Sequence, residues 1–90
     1  MSFKVFLHPK AARFLDRLNA ALRSRIKQSL KELEDSTESK GQRLKGSLFW
    51  RLRVGEYRAI YEIDGARKRV IVLFVGHRRD VYDEFSRISD

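Results

Sequence analysis

The residues best suited to chemistry are four arginines in the second half of this 90-residue chain. Arg51 and Arg53 occupy alternate positions, Arg58 follows closely, and Arg78 comes directly after a long apolar run. An arginine side chain is permanently charged, and its planar fork of N–H donors fits the oxygen atoms of a phosphate group. These residues therefore predict a site for a polyanion, provided that the fold brings them together.

Two further side chains near Arg78 are candidates for the same site. His77 is the only side chain nearby whose unperturbed pKa lies close to neutrality, so it is a candidate for proton transfer. The alternative is that His77 hydrogen-bonds the backbone where a strand gives way to a helix. Tyr82 lies one position around a short helix from an apolar stripe, so it either contacts a substrate or has a purely structural role.

A β-hairpin is the element that must position the arginines. Residues 48–54 and 57–63 are rich in aromatic and branched residues, and Gly55-Glu56 between them is typical of a two-residue turn. With that turn, Arg53 faces Arg58 across the hairpin. The same register predicts three further pairs: Val54 with Tyr57, Leu52 with Ala59, and Trp50 with Tyr61.

Alternation along the strands separates the hairpin into two faces. Arg51, Arg53 and Arg58 share one face. Like charges directly opposite each other cost up to ~1 kcal/mol per pair, so this face is not optimised for folding alone. It is either a solvated outer surface or a polyanion site. The other face is apolar and is expected to pack: Leu48, Trp50, Leu52, Ala59, Tyr61 and Ile63.

The remaining elements complete a small α+β domain over residues 1–90. Residues 2–7 and the apolar run 69–75 are expected to be strands, and residues 10–18 and 20–34 show the apolar spacing of amphipathic helices. We expect a four-stranded antiparallel sheet, covered on one face by this N-terminal helical hairpin, in the order β-α-α-β-β-β-α. The last helix is expected from about residue 79, and the polar residues 35–41 form a loop.

Composition limits the function classes. Lys and Arg number 20 against 12 Asp and Glu, which gives a net charge of +8 and a pI near 10.3; such a balance favours nucleic acid, a ribosome or an acidic protein as partner. The chain has no cysteine, so thiol catalysis and thiolate metal sites are excluded. It shows no signal peptide and no apolar run of ~20 residues, so we expect a cytoplasmic protein that is not membrane-bound.

The chain resembles the RelE/ParE superfamily of bacterial and archaeal toxins. The resemblance covers essentially the whole chain and lies in three segments, residues 43–46, residues 50–58 with Tyr61, and residues 75–82. The full basic set places the chain on the RelE side. This implies the toxin of a type II toxin–antitoxin system, a ribosome-dependent endoribonuclease that cuts messenger RNA and thereby inhibits translation. It also implies a neutralising antitoxin, which we expect to be acidic.

The resemblance also implies roles for individual residues. Arg51 and Arg53 match a pair of catalytic lysines, Arg58 and Arg78 match arginines that stabilise the phosphate and the leaving group, and Tyr82 matches a tyrosine that orients the substrate. It implies further that Arg43 and Lys45 bind RNA. No metal or small-molecule cofactor is expected, since arginine and lysine can supply the positive charge that the transition state needs.

The general base is left open by the sequence. Arginine is a poor base because its pKa stays above ~12, so either another group such as His77 accepts the proton, or catalysis rests on charge and positioning. Two alternatives to RNA cleavage also stay open. One is a ParE-like toxin that acts on DNA gyrase and cuts nothing; the other is a non-catalytic basic module that binds RNA or DNA.

Overall fold

The computed structural model describes residues 3–36 and 40–81 and has an α+β architecture. A single turn of 3-10 helix, Glu32–Glu34, continues the second helix. The elements follow the predicted order with one strand, β2, added: β1 Lys4–Leu7, α1 Pro9–Asp16, α2 Ala20–Lys31, β2 Gln42–Arg43, β3 Phe49–Val54, β4 Tyr57–Asp64 and β5 Arg69–His77.

Both helices begin at residues that cap them. The His8 ring accepts a hydrogen bond from the Lys10 backbone N–H, and Pro9 occupies the first turn of α1, where a missing N–H has no cost. Asn19 Oδ1 accepts a hydrogen bond of 2.9 Å from the Leu22 N–H at the start of α2. These caps hold the two helices in a short hairpin, as the sequence predicts.

The sheet differs from the prediction in two respects. It has five strands in the order β1-β5-β4-β3-β2, and β1 runs parallel to β5, so the sheet is mixed and not purely antiparallel. The added strand, β2, has only two residues, which is too short for alternation to reveal. The direction of β1 was missed because no hairpin joins it to β5; two helices and three strands lie between them.

The main core lies between the helices and the inner face of the sheet. Leu15 of α1 and Ile26 of α2 are fully buried against Tyr61, Val70 and Val72 of the sheet. The half-buried Trp50 stacks on Tyr61, with ring centroids 6.4 Å apart and planes inclined by 22°. The apolar stripes predicted for the helices and the hairpin therefore pack as expected, except that Leu48 stays exposed.

A smaller apolar cluster covers part of the outer face of the sheet. Ile60 and Phe74 pair across β4 and β5, and Val81 from the segment after β5 packs against them. A β-bulge between Ile60 and Tyr61 lies at this point. The outer face is therefore not open along its whole width, and the arginines occupy the part next to this cluster.

The predicted C-terminal helix lies outside the described residues from position 82 onward. In the part of the chain that the structure describes, no helix is long and apolar enough to cross a membrane.

Candidate active site

The β3–β4 hairpin sets the spacing of the arginines. Its turn consists of residues 55–56, and Gly55 has a φ of +60°, which glycine adopts without strain. In the resulting register Arg53 lies opposite Arg58, and Arg51 lies two positions along the same face. The other predicted pairs are confirmed as well: Val54 with Tyr57, Leu52 with Ala59, and Trp50 with Tyr61.

The arginines line a shallow depression of about 390 Å³ on the outer face. Its lining contains four cationic side chains and no carboxylate, so the lining itself carries a net positive charge. A volume of this size accommodates a phosphate group with part of its nucleotide. The lining residues are Lys40, Gly41, Gln42, Arg51, Arg53 and Arg58.

Hydrogen bonds orient two of these arginines. Arg58 Nη1 donates to the backbone oxygens of Gly55 and Tyr57, each at 2.9 Å. Arg51 Nη2 donates to Gln42 Oε1 on the neighbouring strand β2. These acceptors are neutral, so they hold the guanidinium groups in place without cancelling their charge. Arg53 is exposed at the surface beside them.

Gly41 lets the β2 segment approach the sheet closely. A Cβ at this position would lie 1.8 Å from the hydroxyl oxygen of Tyr61 and 3.0 Å from the backbone oxygen of Arg51. Tyr61 is fully buried, so it has little room to move. A residue without a Cβ is therefore needed here to bring Lys40 and Gln42 to the rim of the depression.

Arg78 follows β5 at the same end of the hairpin as Arg58. Its backbone N–H donates to the Glu56 oxygen at 2.8 Å, which ties the end of β5 to the hairpin turn. Arg58 pairs with Gly76, where a Cβ would lie 3.3 Å from Val81 Cβ. The exposed Arg78 therefore begins at the hairpin turn and does not line the depression. Tyr82 lies outside the described residues.

His77 is not brought to the depression. It pairs with Tyr57, so its side chain lies on the helix-covered face of the sheet, and the two rings meet edge to face at 5.6 Å. His77 Nε2 lies 3.3 Å from Glu56 Oε2, and its Nδ1 accepts a hydrogen bond from the Arg79 backbone N–H. The bond from the Arg79 N–H is the backbone hydrogen bond expected if His77 has a structural role at the end of the strand.

Neither predicted RNA-binding residue lines the depression. In β2, Gln42 pairs with Arg51 and Arg43 pairs with Trp50, so Arg43 projects to the inner face. Its Nε donates to the Ser47 backbone oxygen at 3.1 Å. Lys45 is exposed in the loop between β2 and β3.

Sequence reasoning missed Lys40 and Gln42, both of which line the depression. Lys40 Nζ lies 3.4 Å from Glu32 Oε2, and both side chains are exposed. The polar composition of residues 35–41 indicates a loop, and two strand residues are too few to show which side chains share a face. Alternation between Gln42 and Arg43 was the one available signal, and it depended on knowing that β2 exists.

Metal-binding clusters are lacking in residues 3–36 and 40–81: no three His, Asp or Glu side chains lie together there in a way that could hold a metal ion.

Comparison with known proteins identifies related folds and one family. A family model described as the ParE toxin of the type II toxin–antitoxin system parDE matches residues 5–82. No curated protein sequence matches the chain.

Several solved structures have a similar fold. The toxin–antitoxin complex RelBE2 from Mycobacterium tuberculosis matches with a TM-score of 0.78 and 25% identity, covering 87% of this chain and 100% of that one. The RelB–RelE antitoxin–toxin complex from Methanococcus jannaschii matches with 0.68 and 28%, covering 89% and 98%. The intact RelBE toxin–antitoxin complex of E. coli matches with 0.75 and 20%, covering 84% and 96%, a likeness of fold alone.

Proposed function

Because this chain belongs to the family of ParE toxins of type II toxin–antitoxin systems, within the RelE/ParE superfamily, we propose that it is a toxin that cleaves messenger RNA on the ribosome and so inhibits translation in the cytoplasm. The observation that carries this proposal is the depression lined by Lys40, Arg51, Arg53 and Arg58 without a carboxylate. A toxin that only bound a protein surface would have no need to hold two arginines opposite each other, since that arrangement lowers stability.

The proposed reaction is an attack within the RNA strand. The 2′-oxygen of a ribose forms a bond to the adjacent phosphorus, and the bond from phosphorus to the 5′-oxygen of the next nucleotide breaks. The products are a 2′,3′-cyclic phosphate and a 5′-hydroxyl. Negative charge builds up on the phosphate oxygens in the transition state, and fixed cations lower its energy there.

Arg51, Arg53 and Arg58 would supply that charge at the scissile phosphate. Arg58 is held by two backbone oxygens and Arg51 by Gln42, so these two donors are oriented before the substrate arrives. Arg78, which begins at the hairpin turn, would neutralise the leaving 5′-oxygen until solvent protonates it. Tyr82 would orient the substrate, as the family resemblance implies.

The proton of the 2′-hydroxyl would pass to solvent, because a permanently protonated arginine does not accept a proton near neutrality. His77 lies on the other face of the sheet and is bonded to Glu56, so we leave it out of the proposed site. The proposed catalysis therefore rests on charge and positioning. Arg43 and Lys45, outside the depression, are proposed as peripheral RNA contacts.

DNA gyrase is the second candidate target. It is favoured by one observation, the match of residues 5–82 to a model of ParE toxins. The solved structures with the same fold include RelE proteins bound to RelB antitoxins, so the fold itself does not choose between the two targets. The arginine depression favours RNA, because gyrase poisoning needs no cluster of charge around a phosphate.

One experiment distinguishes the two targets. After brief expression of the chain, primer extension on a translated messenger RNA should show new 5′ ends within codons, and these ends should vanish when the start codon is removed. The double variant Arg53→Gln/Arg58→Gln should lose the cuts, and Lys4→Gln/Arg67→Gln, which removes the same charge elsewhere, should keep them. Gyrase-dependent DNA breaks with intact messenger RNA would assign the chain to the second target.

A further inference from the structure

The helical layer carries an excess of positive charge that the proposed active site does not use. Residues 9–31 contain seven lysines and arginines and a single carboxylate, that of Asp16. The seven are Lys10, Arg13, Arg17, Arg23, Arg25, Lys27 and Lys31. This layer covers the inner face of the sheet, on the opposite side from the depression. Two of the seven reach beyond it: Lys10, whose Nζ lies 6.0 Å from the centroid of the Phe74 ring, and Arg25.

Four of these cations form two repulsive pairs. Arg13 of α1 with Arg17, the C-cap of that helix, and Lys27 with Lys31 in α2 are spaced i, i+4, and all four are exposed. Side chains at this spacing are neighbours on a helix, and like charges there cost about 0.2–0.5 kcal/mol per pair. We call these four residues the helical basic surface.

No carboxylate of the described residues forms an ion pair with this surface. Within the described residues, the ion pairs join Lys40 to Glu32, Arg69 to Asp64 and His77 to Glu56, and none involves a cation of residues 9–31. A solvated helix face normally alternates charges of both signs. The i, i+4 repulsion on α1 and α2 is therefore not offset by an ion pair inside the described chain, and only the cations in the last turn of each helix gain from the helix dipole.

Arg23 is the cation in this layer that has a structural role. Its Nη1 donates to the backbone oxygens of Asp16 and Leu18, at 3.4 and 3.3 Å, at the end of α1. The Asp16 oxygen belongs to the last turn of α1 and the Leu18 oxygen to the turn after it, so a cation there stabilises the helix end. Arg23 is accordingly kept out of the helical basic surface.

Arg25 links the two basic regions. Its guanidinium reaches from α2 to the hairpin turn, where a Cβ at Gly55 would lie 3.4 Å from one of its nitrogens. The Gly55 backbone oxygen in turn accepts the hydrogen bond from Arg58. Positive charge thus continues from the depression around the hairpin turn to the helices.

We propose that the helical basic surface binds the phosphate backbone of a double-stranded RNA segment, separately from the strand in the depression. The choice of RNA as the polyanion rests on the proposed function. A protein partner would be anchored by buried apolar side chains, but the large exposed apolar residues of the described chain, Phe6 and Leu48, lie on β1 and before β3, not on the helices. A purely charged surface matches a phosphate backbone, whose binding is mainly electrostatic.

Binding to an RNA duplex tests this proposal. The probe is a fluorescein-labelled duplex of about 20 base pairs, longer than the ~16 that a double-stranded RNA-binding domain spans. Its affinity is measured between about 50 and 200 mM salt. The variants Arg13→Gln/Arg17→Gln and Lys27→Gln/Lys31→Gln are compared with Lys4→Gln/Arg67→Gln, which has the same net charge.

Each helix variant is expected to bind the duplex roughly tenfold more weakly at the lowest salt. Each should also reduce the slope of log affinity against log salt by about 1 for every phosphate that the variant no longer neutralises. The control should change affinity less than about twofold. Thermal melts should show both helix variants folded, with stability close to that of the parent, because the relief of a repulsive pair offsets the loss of a cation from the last turn of each helix.

An equal decrease in affinity for the helix variants and the control would overturn the proposal, since the effect would then reflect net charge alone. Unchanged duplex binding combined with weakened binding to an acidic protein would also overturn it. Failure here is separable from failure of the proposed function. If the parent binds the duplex through its helices but makes no cuts in messenger RNA, only the proposed function is wrong. If cutting is intact but the helices do not bind the duplex, only the helical RNA-binding proposal is wrong.

Discussion

Arg53 and Arg58 show how a single pair of residues ties stability to function. They face each other on adjacent strands, and Arg58 keeps its orientation through two backbone oxygens. Opposing like charges in a sheet cost a few tenths to about 1 kcal/mol. Nothing in the packing requires the second charge, because Arg53 is exposed. Its retention is explained if a phosphate lies between the two side chains.

Arg53→Gln should therefore gain stability and lose activity. We expect the free energy of unfolding to be unchanged or to rise by up to about 0.5 kcal/mol, with the larger gain at low salt, where screening is weak. Cleavage of ribosome-bound messenger RNA should fall sharply. Denaturant unfolding at two salt concentrations and primer extension measure the two effects.

Arg58→Gln should reduce cleavage at least as much, but it should gain less stability than Arg53→Gln, because the two hydrogen bonds from Arg58 Nη1 to backbone oxygens are lost together with the repulsion. Arg78→Ala should also reduce cleavage. Arg23→Ala is the contrasting variant: it should leave cleavage largely intact yet lower stability, because it removes donors to the end of α1. An Arg58→Gln protein that cleaves as well as the parent, or that unfolds, contradicts the assignment of the depression.

Gly41 provides a test of the close approach of β2. Gly41→Ala places a methyl group against the Tyr61 hydroxyl, at a separation that requires movement of a fully buried ring. Overpacking of this kind costs about 1–3 kcal/mol, which corresponds to roughly 4–8 °C in Tm for each kcal/mol. Combining it with Tyr61→Phe, which removes the clashing oxygen, should restore part of the stability in thermal melts. If Gly41→Ala melts like the parent, the approach is looser than the structure indicates.

At the scale of elements, local patterns predicted what local physics determines. The Gly55 turn and the alternation on both sides of it were enough to predict the register of β3 with β4, residue by residue. The apolar spacing of residues 10–18 and 20–34 likewise predicted the two helices, which the structure places at Pro9–Asp16 and Ala20–Lys31. Half of the candidate site, Arg51, Arg53 and Arg58, follows from this hairpin alone.

Long-range pairings could not be read in the same way. The direction of β1 beside β5 depends on the path of the intervening chain, and β2 has two residues, too few for a pattern. Lys40 and Gln42 line the depression because β2 brings them there. Since β2 was not predicted, their contribution to the site was not predicted either. The side of the sheet on which His77 lies depends on the bulge in β5, which shifts the pairing by one residue.

The turn between β4 and β5 contains a strained residue. Lys68 has a φ of +53°, the only positive φ outside glycine among the described residues. That conformation costs a residue with a Cβ about 1–2 kcal/mol. Glycine avoids this cost, but its greater conformational entropy in the unfolded state offsets part of the stability gained. Lys68→Gly should therefore raise the free energy of unfolding by a few tenths to about 1 kcal/mol. Arg67→Gly in the same turn should lower it, and chemical denaturation compares the two.

Asp64 makes the same turn sensitive to acid. Its pKa is lowered chiefly by the hydrogen bond from the Arg67 backbone N–H, with help from the Arg69 guanidinium, at 3.2 Å each. The folded state therefore takes up this proton less readily than the unfolded state. The resulting stability is present above the unfolded pKa of ~3.9 and is lost as pH falls through the lower folded value.

The stability of Asp64→Asn should consequently approach that of the parent as the solution is acidified. Denaturant unfolding of both proteins from about pH 6 down to about pH 2.5 measures this difference across the window in which the parent takes up the proton. The parent should be the more stable at about pH 6, and the gap should narrow below about pH 4. A gap that stays constant or widens on acidification contradicts the assigned role of Asp64.

At the scale of the whole molecule, a net charge of +8 is divided between two sides of one sheet. The arginine depression lies on the outer side and the helical basic surface on the inner, with Arg25 at the hairpin turn between them. A domain with positive charge on both sides suits a partner that presents phosphate groups from more than one direction. A folded RNA assembly such as the ribosome has that property, whereas a straight duplex contacts one side only.

The neutralising partner follows from the same charge distribution. We expect an acidic antitoxin, partly disordered when free and folding as it binds, that lays carboxylates across the depression and so blocks the substrate and cancels the charge together. Contacts made by charge alone would be screened at ~1 M salt, where the Debye length is ~3 Å. The exposed Phe6 and Leu48 offer apolar area that salt does not weaken. Co-expression should restore growth, and the complex should survive a wash at about 1 M salt.

Arg53→Gln/Arg58→Gln should bind the antitoxin more weakly, with Lys4→Gln/Arg67→Gln as the matched control. A toxin tolerated by cells without any acidic partner, or a complex indifferent to the arginine pair, contradicts this prediction.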